Sequence, residues 1–414
     1  MSLVIALAIV ALAYWRFKDV PLDRDWTPYA YPALHGTGYL ENGHQDIKPP
    51  LIHWGFKAWA RITTGWKSTL PSRLRLLPTL ALMLSIALLY PIAPTASIVL
   101  ALLVCSPALW GHMANTEWLT VLLLAVATGA SQAAWSTPIA WLALGLLPWA
   151  NQKNIMLIPA LIWVLSLKLW PLSIGLLLTP TLIMGAYLTF TGRLGHYLRW
   201  TWTIPAQFGK TRTLRRNTLG HLHLLKPGLF LMLPFIATMQ GPWVWVLLAM
   251  VALALLSKQV MPHHLLLLAF PIALASQPTW TSWAAFGIAW VLIEAAAWIV
   301  PANVYALTFA DPGGANYGMV LKDAEWVTRW LDENEPNEDT IWVNGMENNV
   351  YLHSGRKAWA IIVPELREVP QGIPPRIIVH CRGSVDFDYD AHGYEMVDSS
   401  PLGGLVIMRR ANAS

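Results

Sequence analysis

Residues 171–190 read PLSIGLLLTPTLIMGAYLTF, a run of twenty residues that contains no charged side chain. Because an α-helix rises by ~1.5 Å per residue, a helix of this length matches the ~30 Å hydrocarbon core of a bilayer. The segment therefore predicts a transmembrane helix. Comparable apolar runs recur from the N-terminus to about residue 300, so we expect a polytopic membrane protein.

Eleven apolar segments define the predicted fold class, a polytopic α-helical membrane protein. The composition agrees, since 55% hydrophobic and 12% charged residues lie outside the usual balance of a soluble domain. Three segments (2–15, 137–149 and 227–240) are short for a full crossing. The predicted segments are 2–15, 74–91, 94–111, 116–134, 137–149, 154–170, 171–190, 227–240, 242–257, 262–277 and 280–300.

Charge divides the chain into two parts. Residues 1–300 contain 19 Lys and Arg against 7 acids, whereas residues 301–414 contain 9 against 16. We predict a transmembrane domain at 1–300, with an outer loop at 16–73 and a basic loop at 191–226, and a small soluble α/β domain at 301–414. A basic membrane part with an acidic tail indicates an anionic ligand near the lipid.

The tail alternates between helix and strand patterns. Val320–Leu331 has the spacing of an amphipathic helix, and Thr340–Val343, Arg376–Cys381 and Gly404–Arg409 are short β-rich runs. This alternation predicts a small α/β domain. Within the outer loop, Leu51–Ile62 has the pattern of an amphipathic helix at the membrane interface.

An odd number of spans places the tail opposite the N-terminus. With the N-terminus inside, the outer loop, Glu117, the basic loop, Lys258 and the tail all face outward, which predicts an inner-membrane protein whose tail is periplasmic. The positive-inside rule argues against this orientation, because the most basic short loop is then outside. Either the orientation is reversed or those cations hold an anion, and we favour the anion.

Carboxylates are scarce between residues 1 and 293. Isolated acids beside hydrocarbon are costly and are usually retained for function. Five of the six lie in the outer loop and the sixth precedes an apolar helix; they are Asp19, Asp23, Asp25, Glu41, Asp46 and Glu117.

The outer loop joins Asp25 to Tyr29-Ala30, Gly38-Tyr39 and Lys48-Pro49-Pro50. This arrangement resembles the first outer loop of the GT-C class of membrane glycosyltransferases, which includes protein O-mannosyltransferases and lipid A aminoarabinose transferases. Weaker similarities extend over nearly the whole chain: Arg73 and Arg75, Glu117, Gln152-Lys153 before Pro159, Lys258 before Pro262, and Tyr351–Arg356. The chain departs from the class at Glu117-Trp118, where Asp-Pro is common, and at His263-His264, where an aromatic residue is usual.

The resemblance implies a sugar transferred from a polyprenyl-phosphate donor to a glycan, lipid or protein acceptor, with inversion at the anomeric carbon. It assigns Asp25 as the general base and Glu117 as a second acid beside it. Lys48, Lys258, His263 and His264 would contact the donor phosphate. Asp46, Tyr29 and Arg73 are predicted to support the site, and no metal or other cofactor is proposed because the His pair has no further ligand at metal spacing.

Most of these residues have an alternative role. The alternative for Asp25 is a solvated loop acid or the N-cap of a short helix beginning near Trp26. Lys48 has the position of a snorkelling interface lysine, and Glu117 that of a helix-capping acid. Asp46 either orients Lys48 or caps a turn. The basic loop 191–226 either covers the lipid phosphate or contacts anionic headgroups.

Other classes of protein fit parts of the same pattern. A transporter or lipid-carrier flippase also needs many helices, a basic lining and few acids, but transporters place their acids near the bilayer centre. Here the acids cluster at one surface. Nucleic-acid binding is disfavoured because the basic loop lies between spans and the tail is acidic.

Overall fold

The computed structural model describes residues 2–20, 22, 26–35, 48–107, 117–132, 137–203, 206, 222–256, 262–300, 317–345, 347–361, 369–370, 372–381, 384–401 and 403–411. The chain divides into two compact units. The first comprises Met1–Val20, Lys67–Leu194 and Gly209–Tyr305, and the second comprises Pro21–Trp66, Gly195–Phe208 and Ala306–Ser414. Residues of the outer loop therefore belong to the same unit as the tail.

Helices make up most of the described structure. In chain order they are α1 (Ser2–Phe17), α2 (Thr27–His35), α3 (Pro50–Ile62), α4 (Leu70–Leu89), α5 (Pro94–Val104), α6 (Glu117–Ser131), α7 (Thr137–Ala150), a 3₁₀ segment (Gln152–Leu157), α8 (Ile158–Val164), α9 (Pro171–Phe190), α10 (Leu194–Leu198), a π turn (Arg199–Thr203), α11 (Leu222–Ile236), α12 (Trp243–Leu256), α13 (Pro262–Ala275), α14 (Trp280–Ile299), α15 (Tyr317–Asn334) and α16 (Asn349–Ser354).

Prolines and small polar caps set several helix starts. The Thr69 side chain accepts a hydrogen bond from the Ser72 amide, and Pro71 lies in the first turn of α4. Helices α5 and α9 begin at prolines, where the missing amide costs nothing because first-turn amides lack intrahelical partners. These starts are local properties of the sequence.

Each of the eleven predicted apolar segments contains a described helix. Three of these helices (α4, α9 and α14) are long and apolar enough to cross a membrane by length and composition, and the others are shorter. That all eleven cross stays a prediction. Several boundaries differ. Helix α11 begins at Leu222 rather than near residue 227, because Leu222, Leu224 and Leu225 continue the apolar pattern into the predicted basic loop, and α5 and α8 end at Val104 and Val164, before the predicted ends.

Hydrogen bonds in the first unit join helix ends. The Arg16 guanidinium donates to the carbonyl oxygens of Ala297, at 2.9 Å, and Val300. The Tyr14 hydroxyl lies 2.8 Å from Ser72 Oγ. The C-terminal ends of α1 and α14 and the N-terminal end of α4 therefore lie together at one end of this unit.

Helices α7 and α9 approach closely at Gly145. A Cβ atom at this position would lie 2.3 Å from the carbonyl oxygen of Leu177 and 3.0 Å from the Pro180 ring. Nearby, Trp149 Nε1 donates to Thr181 Oγ1 at 3.1 Å. Small residues permit such close backbone approach between membrane helices, so Gly145 sets the α7–α9 distance.

We expect Gly145→Ala to destabilise the protein by about 1–3 kcal/mol, because the added methyl group forces the α9 backbone away. The measurement is the midpoint of thermal unfolding in detergent. Gly175→Ala in α9 is the matched control, since a Cβ there meets no neighbouring atom within 4 Å. Equal midpoints for the two variants would contradict the packing argument.

The second unit contains a five-stranded sheet of order β2-β1-β3-β5-β4. Its strands are β1 (Thr340–Asn344), β2 (Lys357–Ala358), β3 (Ile377–Cys381), β4 (Tyr394–Ser399) and β5 (Leu405–Arg410). Strands β2, β1 and β3 are parallel, and β5 is antiparallel to both β3 and β4. Helix α15 packs Ala324, Val327 and Leu331 onto one face.

The predicted tail helix and three predicted strands are confirmed by α15, β1, β3 and β5. Strands β2 and β4 were not predicted. Strand β2 has only two residues, and β4 is an edge strand in which most side chains are exposed. Neither presents the run of apolar residues by which a strand is recognised.

Helix α2 covers the β2 edge of this sheet through Tyr31. The amides of Lys357 and Trp359 donate to carbonyls beside or within β1, so the intervening Ala358 amide points away from that strand. The Tyr31 hydroxyl accepts the hydrogen bond from this amide. Its ring lies 5.6 Å from that of Tyr351, and burial raises the pKa of the Tyr31 phenol. An outer-loop residue thus completes the edge of the tail sheet.

Tyr31→Phe should weaken the hydrogen bonding at the edge strand β2. The substitution leaves the partly buried Ala358 amide without its acceptor, and such a hydrogen bond contributes about 0.5–1.5 kcal/mol. We expect hydrogen exchange at Ala358 to become faster by up to about tenfold, while exchange in the central strand β3 is unchanged. Equal protection of Ala358 in wild type and variant would show that Tyr31 does not stabilise this edge.

Candidate active site around the outer loop

Trp26 fixes the chain immediately after the predicted base. Its indole is 1% exposed and meets the buried Phe56 ring edge-on, with centroids 5.6 Å apart. This contact joins the start of α2 to α3. Asp25 itself lies outside the described residues, as does Asp46. Helix α2 begins at Thr27, close to the predicted start near Trp26, so the capping alternative for Asp25 stays open.

Lys48 precedes a rigid step into α3. Pro49 has φ −66° and ψ 160°, an extended conformation, and Pro50 is the first residue of the helix. Pro49 provides no side-chain cap, and neither proline has an amide hydrogen. The first amides of α3 therefore begin at Leu51. A half-buried ammonium beside this helix N-terminus forms a positive region suited to an anion.

Helix α3 is amphipathic, as its sequence pattern predicts. Ile52, His53, Phe56 and Trp59 are buried, whereas Arg61 and Ile62 are exposed. His53 lies one turn after Lys48, and it was not predicted as a site residue. Its burial was not visible in the sequence because its neighbours Ile52 and Trp54 gave no reason to favour either face.

Glu117 is the first residue of α6 and is 1% exposed, which confirms that it opens a helix. A carboxylate at this end of a helix is favoured by the helix dipole. Close to this turn, the buried Asn154 amide donates to Thr120 Oγ1 at 2.9 Å and to the Leu147 carbonyl at 3.1 Å. These bonds hold the 3₁₀ segment against the first turn of α6.

The arginines at the start of α4 differ in role. Arg75 is buried, and its guanidinium donates to the carbonyl of Val20, in the turn that follows α1. In the same turn, the ammonium of Lys18 and the hydroxyl of Thr69 lower the pKa of the Asp19 carboxyl. Arg75 thus stabilises the chain as it leaves α1. The supporting role assigned to the half-buried Arg73 stays a prediction.

The remaining predicted site residues lie wholly or partly outside the described structure. Lys258 lies outside the described residues. His263 and His264 belong to α13, and Tyr29 to α2, but their side chains are outside the described part of the chain. Among the residues that are described, no group of three or more His, Cys, Asp or Glu could hold a metal ion.

Glu294 is a buried acid that the predicted site omitted. It lies in the last two turns of α14, is 1% exposed, and accepts a hydrogen bond from Ser106 Oγ. The bond ties the end of α5 to α14. An isolated carboxylate in the apolar segment 280–300 is itself a sequence signal for a functional acid, although the predicted site does not include it. Its position near a helix end differs from the mid-helix acids of transporters.

No family model matches this chain, and no curated protein matches it. Among solved structures it is similar to arabinofuranosyltransferase AftD from Mycobacteria, determined by single-particle cryo-EM. The two share 14% sequence identity with a TM-score of 0.46, over 100% of this chain and 40% of that chain. This chain therefore spans less than half of that protein.

The described residues have the features of a helical membrane protein. The chain is mostly helical, with three helices of membrane-spanning length and apolar composition. A small mixed sheet lies near its C-terminus.

Proposed function

We propose that this chain is an integral-membrane, inverting glycosyltransferase that moves a sugar from a polyprenyl-phosphate donor to a glycan, lipid or protein acceptor at the outer, periplasmic face of the inner membrane. The observation that carries the proposal is the arrangement of the outer loop. Trp26, which follows Asp25, packs edge-on against Phe56 of α3, and Lys48 lies two residues before α3 begins, within the same compact unit.

The chemistry needs a base and a stabilised leaving group. An acceptor hydroxyl or amine attacks the anomeric carbon while the bond from that carbon to the phosphate oxygen breaks. Asp25 takes the proton from the acceptor, and the phosphate departs with the bonding electron pair. The Lys48 ammonium and the first amides of α3 stabilise the developing phosphate charge. Attack opposite the leaving phosphate inverts the anomeric configuration.

The other predicted residues complete this proposal. Glu117 orients the acceptor or adjusts the pKa of the base. Lys258, His263 and His264 contact the donor phosphate, while Asp46, Tyr29 and Arg73 support the site. The cations of the segment 191–226 cover the lipid phosphate. Support for these roles comes from the resemblance of the sequence, together with the burial of Glu117 at the start of α6.

The test is direct transfer by the purified full-length protein. Several labelled polyprenyl-phosphate sugars are supplied with a membrane extract as the source of acceptor, and the anomeric configuration of the product is determined by NMR. We expect one donor to give an inverted product. The absence of product with every donor, or a retained configuration, would overturn the proposal.

A vesicle assay distinguishes the lipid-carrier flippase from the proposed glycosyltransferase. Movement of the lipid carrier across vesicles at equal rates by wild type and Asp25→Asn, with no glycosidic product, would favour it. Glu117 and Glu294, two buried acids of the first unit, lie at or near helix ends, which supports the transferase instead.

A further inference from the structure

A cavity of about 410 Å³ lies in the sheet region of the second unit. It opens between residues 372–374, the segment 386–394 and the end of β5. Sites for small molecules usually have volumes of ~300–1,000 Å³. Of the catalytic and donor-binding residues proposed above, none whose side chain the structure describes lines this cavity.

One wall of the cavity is a fixed pair of flat rings. The Phe387 and His392 rings are stacked, with centroids 4.6 Å apart and an interplanar angle of 29°. The indole of Trp342 meets Phe387 edge-on at 5.2 Å from behind. Phe387 is half-buried and His392 is exposed. The rings are therefore held in place while part of the stack faces the cavity.

The imidazole of His392 has a defined orientation. Its Nδ1 lies 2.8 Å from the Asp388 carbonyl oxygen. A carbonyl only accepts hydrogen bonds, so Nδ1 carries the proton and donates. In the neutral ring this leaves Nε2 as an acceptor, and nothing in the described part of the chain bonds to it. The ring thus offers both an apolar face and one polar atom.

The cavity lining also contains a cation whose position is fixed. The Arg410 guanidinium donates to the Pro374 carbonyl oxygen and, at 2.8 Å, to the Tyr394 hydroxyl. It also lies over the Tyr394 ring, 5.1 Å from the centroid. With three contacts setting its position, the guanidinium loses little side-chain entropy when it binds a ligand.

Two exposed carboxylates, Asp386 and Asp388, line the same cavity. One Asp388 oxygen accepts from the Ala391 amide at 2.9 Å. Two carboxylates and one guanidinium give a negative balance, which disfavours a phosphate or other anion. Acceptors and donors around a flat apolar wall instead match a molecule with many hydroxyl groups and an apolar C–H face.

We propose that this cavity binds a saccharide unit of the acceptor, a neutral or amino sugar. Its C–H face packs on the Phe387–His392 stack, and its hydroxyls bond to Asp386, Arg410 and His392 Nε2. The binding stands on the cavity alone, whereas its part in acceptor recognition rests on the proposed function. The C-terminal sheet region would then select the glycan that the membrane site modifies.

The test measures binding of fluorescent disaccharides to the purified full-length protein by fluorescence polarisation. The panel contains neutral, amino and uronic sugars, labelled at the reducing end. We expect saturable binding of a neutral or amino disaccharide and weaker binding of its uronic counterpart. His392→Ala and Asp386→Asn change exposed side chains, so both should fold, and each should weaken binding about tenfold.

Asp390→Asn is the matched control. Asp390 is exposed and lies in the same segment, but it does not line the cavity, and the substitution removes the same charge. Its affinity should equal that of wild type. The proposal is overturned if no disaccharide saturates, if His392→Ala and Asp386→Asn bind like wild type, or if the control weakens binding equally.

A second readout separates this proposal from the proposed function. The binding assay contains no donor, so it measures occupation of the cavity independently of sugar transfer. Saturable disaccharide binding without any transfer activity would support the proposed cavity and contradict the proposed glycosyltransferase function. Where transfer is measured, His392→Ala should raise the acceptor KM and leave kcat unchanged. A fall in kcat with unchanged KM would contradict a role in acceptor binding.

Discussion

Asp25→Asn should lower kcat for sugar transfer by about 10²–10⁴-fold, the usual contribution of a general base. Asparagine has nearly the same shape as aspartate and retains an oxygen that accepts hydrogen bonds, but it cannot take a proton at neutral pH. The acceptor must then attack without deprotonation. The measurement is the initial rate of label transfer at saturating donor and acceptor.

Asp23→Asn is the control for this experiment. Asp23 precedes Asp25 by two residues, and its substitution removes the same charge from the same segment. We expect it to retain transfer. The Asp25 variant should also bind donor like wild type, because the base contacts the acceptor. Transfer by Asp25→Asn at a rate near that of wild type would exclude Asp25 as the base and make Glu117→Gln the next variant to measure.

Lys48→Met should lower kcat/KM by about 10²-fold. Methionine keeps much of the length and apolar character of the lysine stem but provides no cation for the departing phosphate. Loss of one fixed electrostatic partner of a developing anion commonly costs ~10²–10³ in rate. The rigid Pro49-Pro50 step prevents the backbone from moving another group into its place. The measurement is kcat/KM for the polyprenyl-phosphate donor.

Two further variants make the Lys48 result specific. Lys48→Arg keeps the charge and should restore part of the rate, although its planar fork is wider than an ammonium. Lys67→Met removes the charge of an exposed lysine beyond α3 and should have little effect. If Lys48→Met transfers sugar as efficiently as Lys67→Met, the ammonium has no role in donor binding and the snorkelling interpretation is correct.

Asp25→Asn and Lys48→Met should differ in their affinity for the donor as well as in the rate of transfer. The Lys48 variant is expected to bind donor more weakly, because the ground-state phosphate is already charged. The Asp25 variant is expected to bind donor normally and fail at the chemical step. Normal donor binding by the Lys48 variant together with weak donor binding by the Asp25 variant would contradict both assigned roles.

Much of the secondary structure followed from local patterns. The apolar segments, the amphipathic α3 and the tail helix α15 were predicted because a helix forms from residues close in the chain and its buried face repeats every three to four positions. The same reasoning found β1, β3 and β5. It missed β2, which exists only because its two residues pair with β1.

The candidate site was less accessible to such reasoning. That Glu117 opens a helix was visible in the sequence, because an acid preceded an apolar run. The contact of Trp26 with Phe56 was not, since either ring had many possible partners. The bond between Ser106 and Glu294 joins residues 188 positions apart, and no local pattern pairs them.

The sequence alone determined that the chain is mostly helical and apolar, because the length, composition and periodicity of each segment govern helix formation and burial locally. Only the tertiary structure decided that Tyr31 completes the edge of a sheet whose strand lies 327 residues later, and that rings from the segment 386–394 meet Arg410 around a cavity. Contacts of this kind depend on how distant segments are brought together, and so their chemistry appears only when the chain is folded.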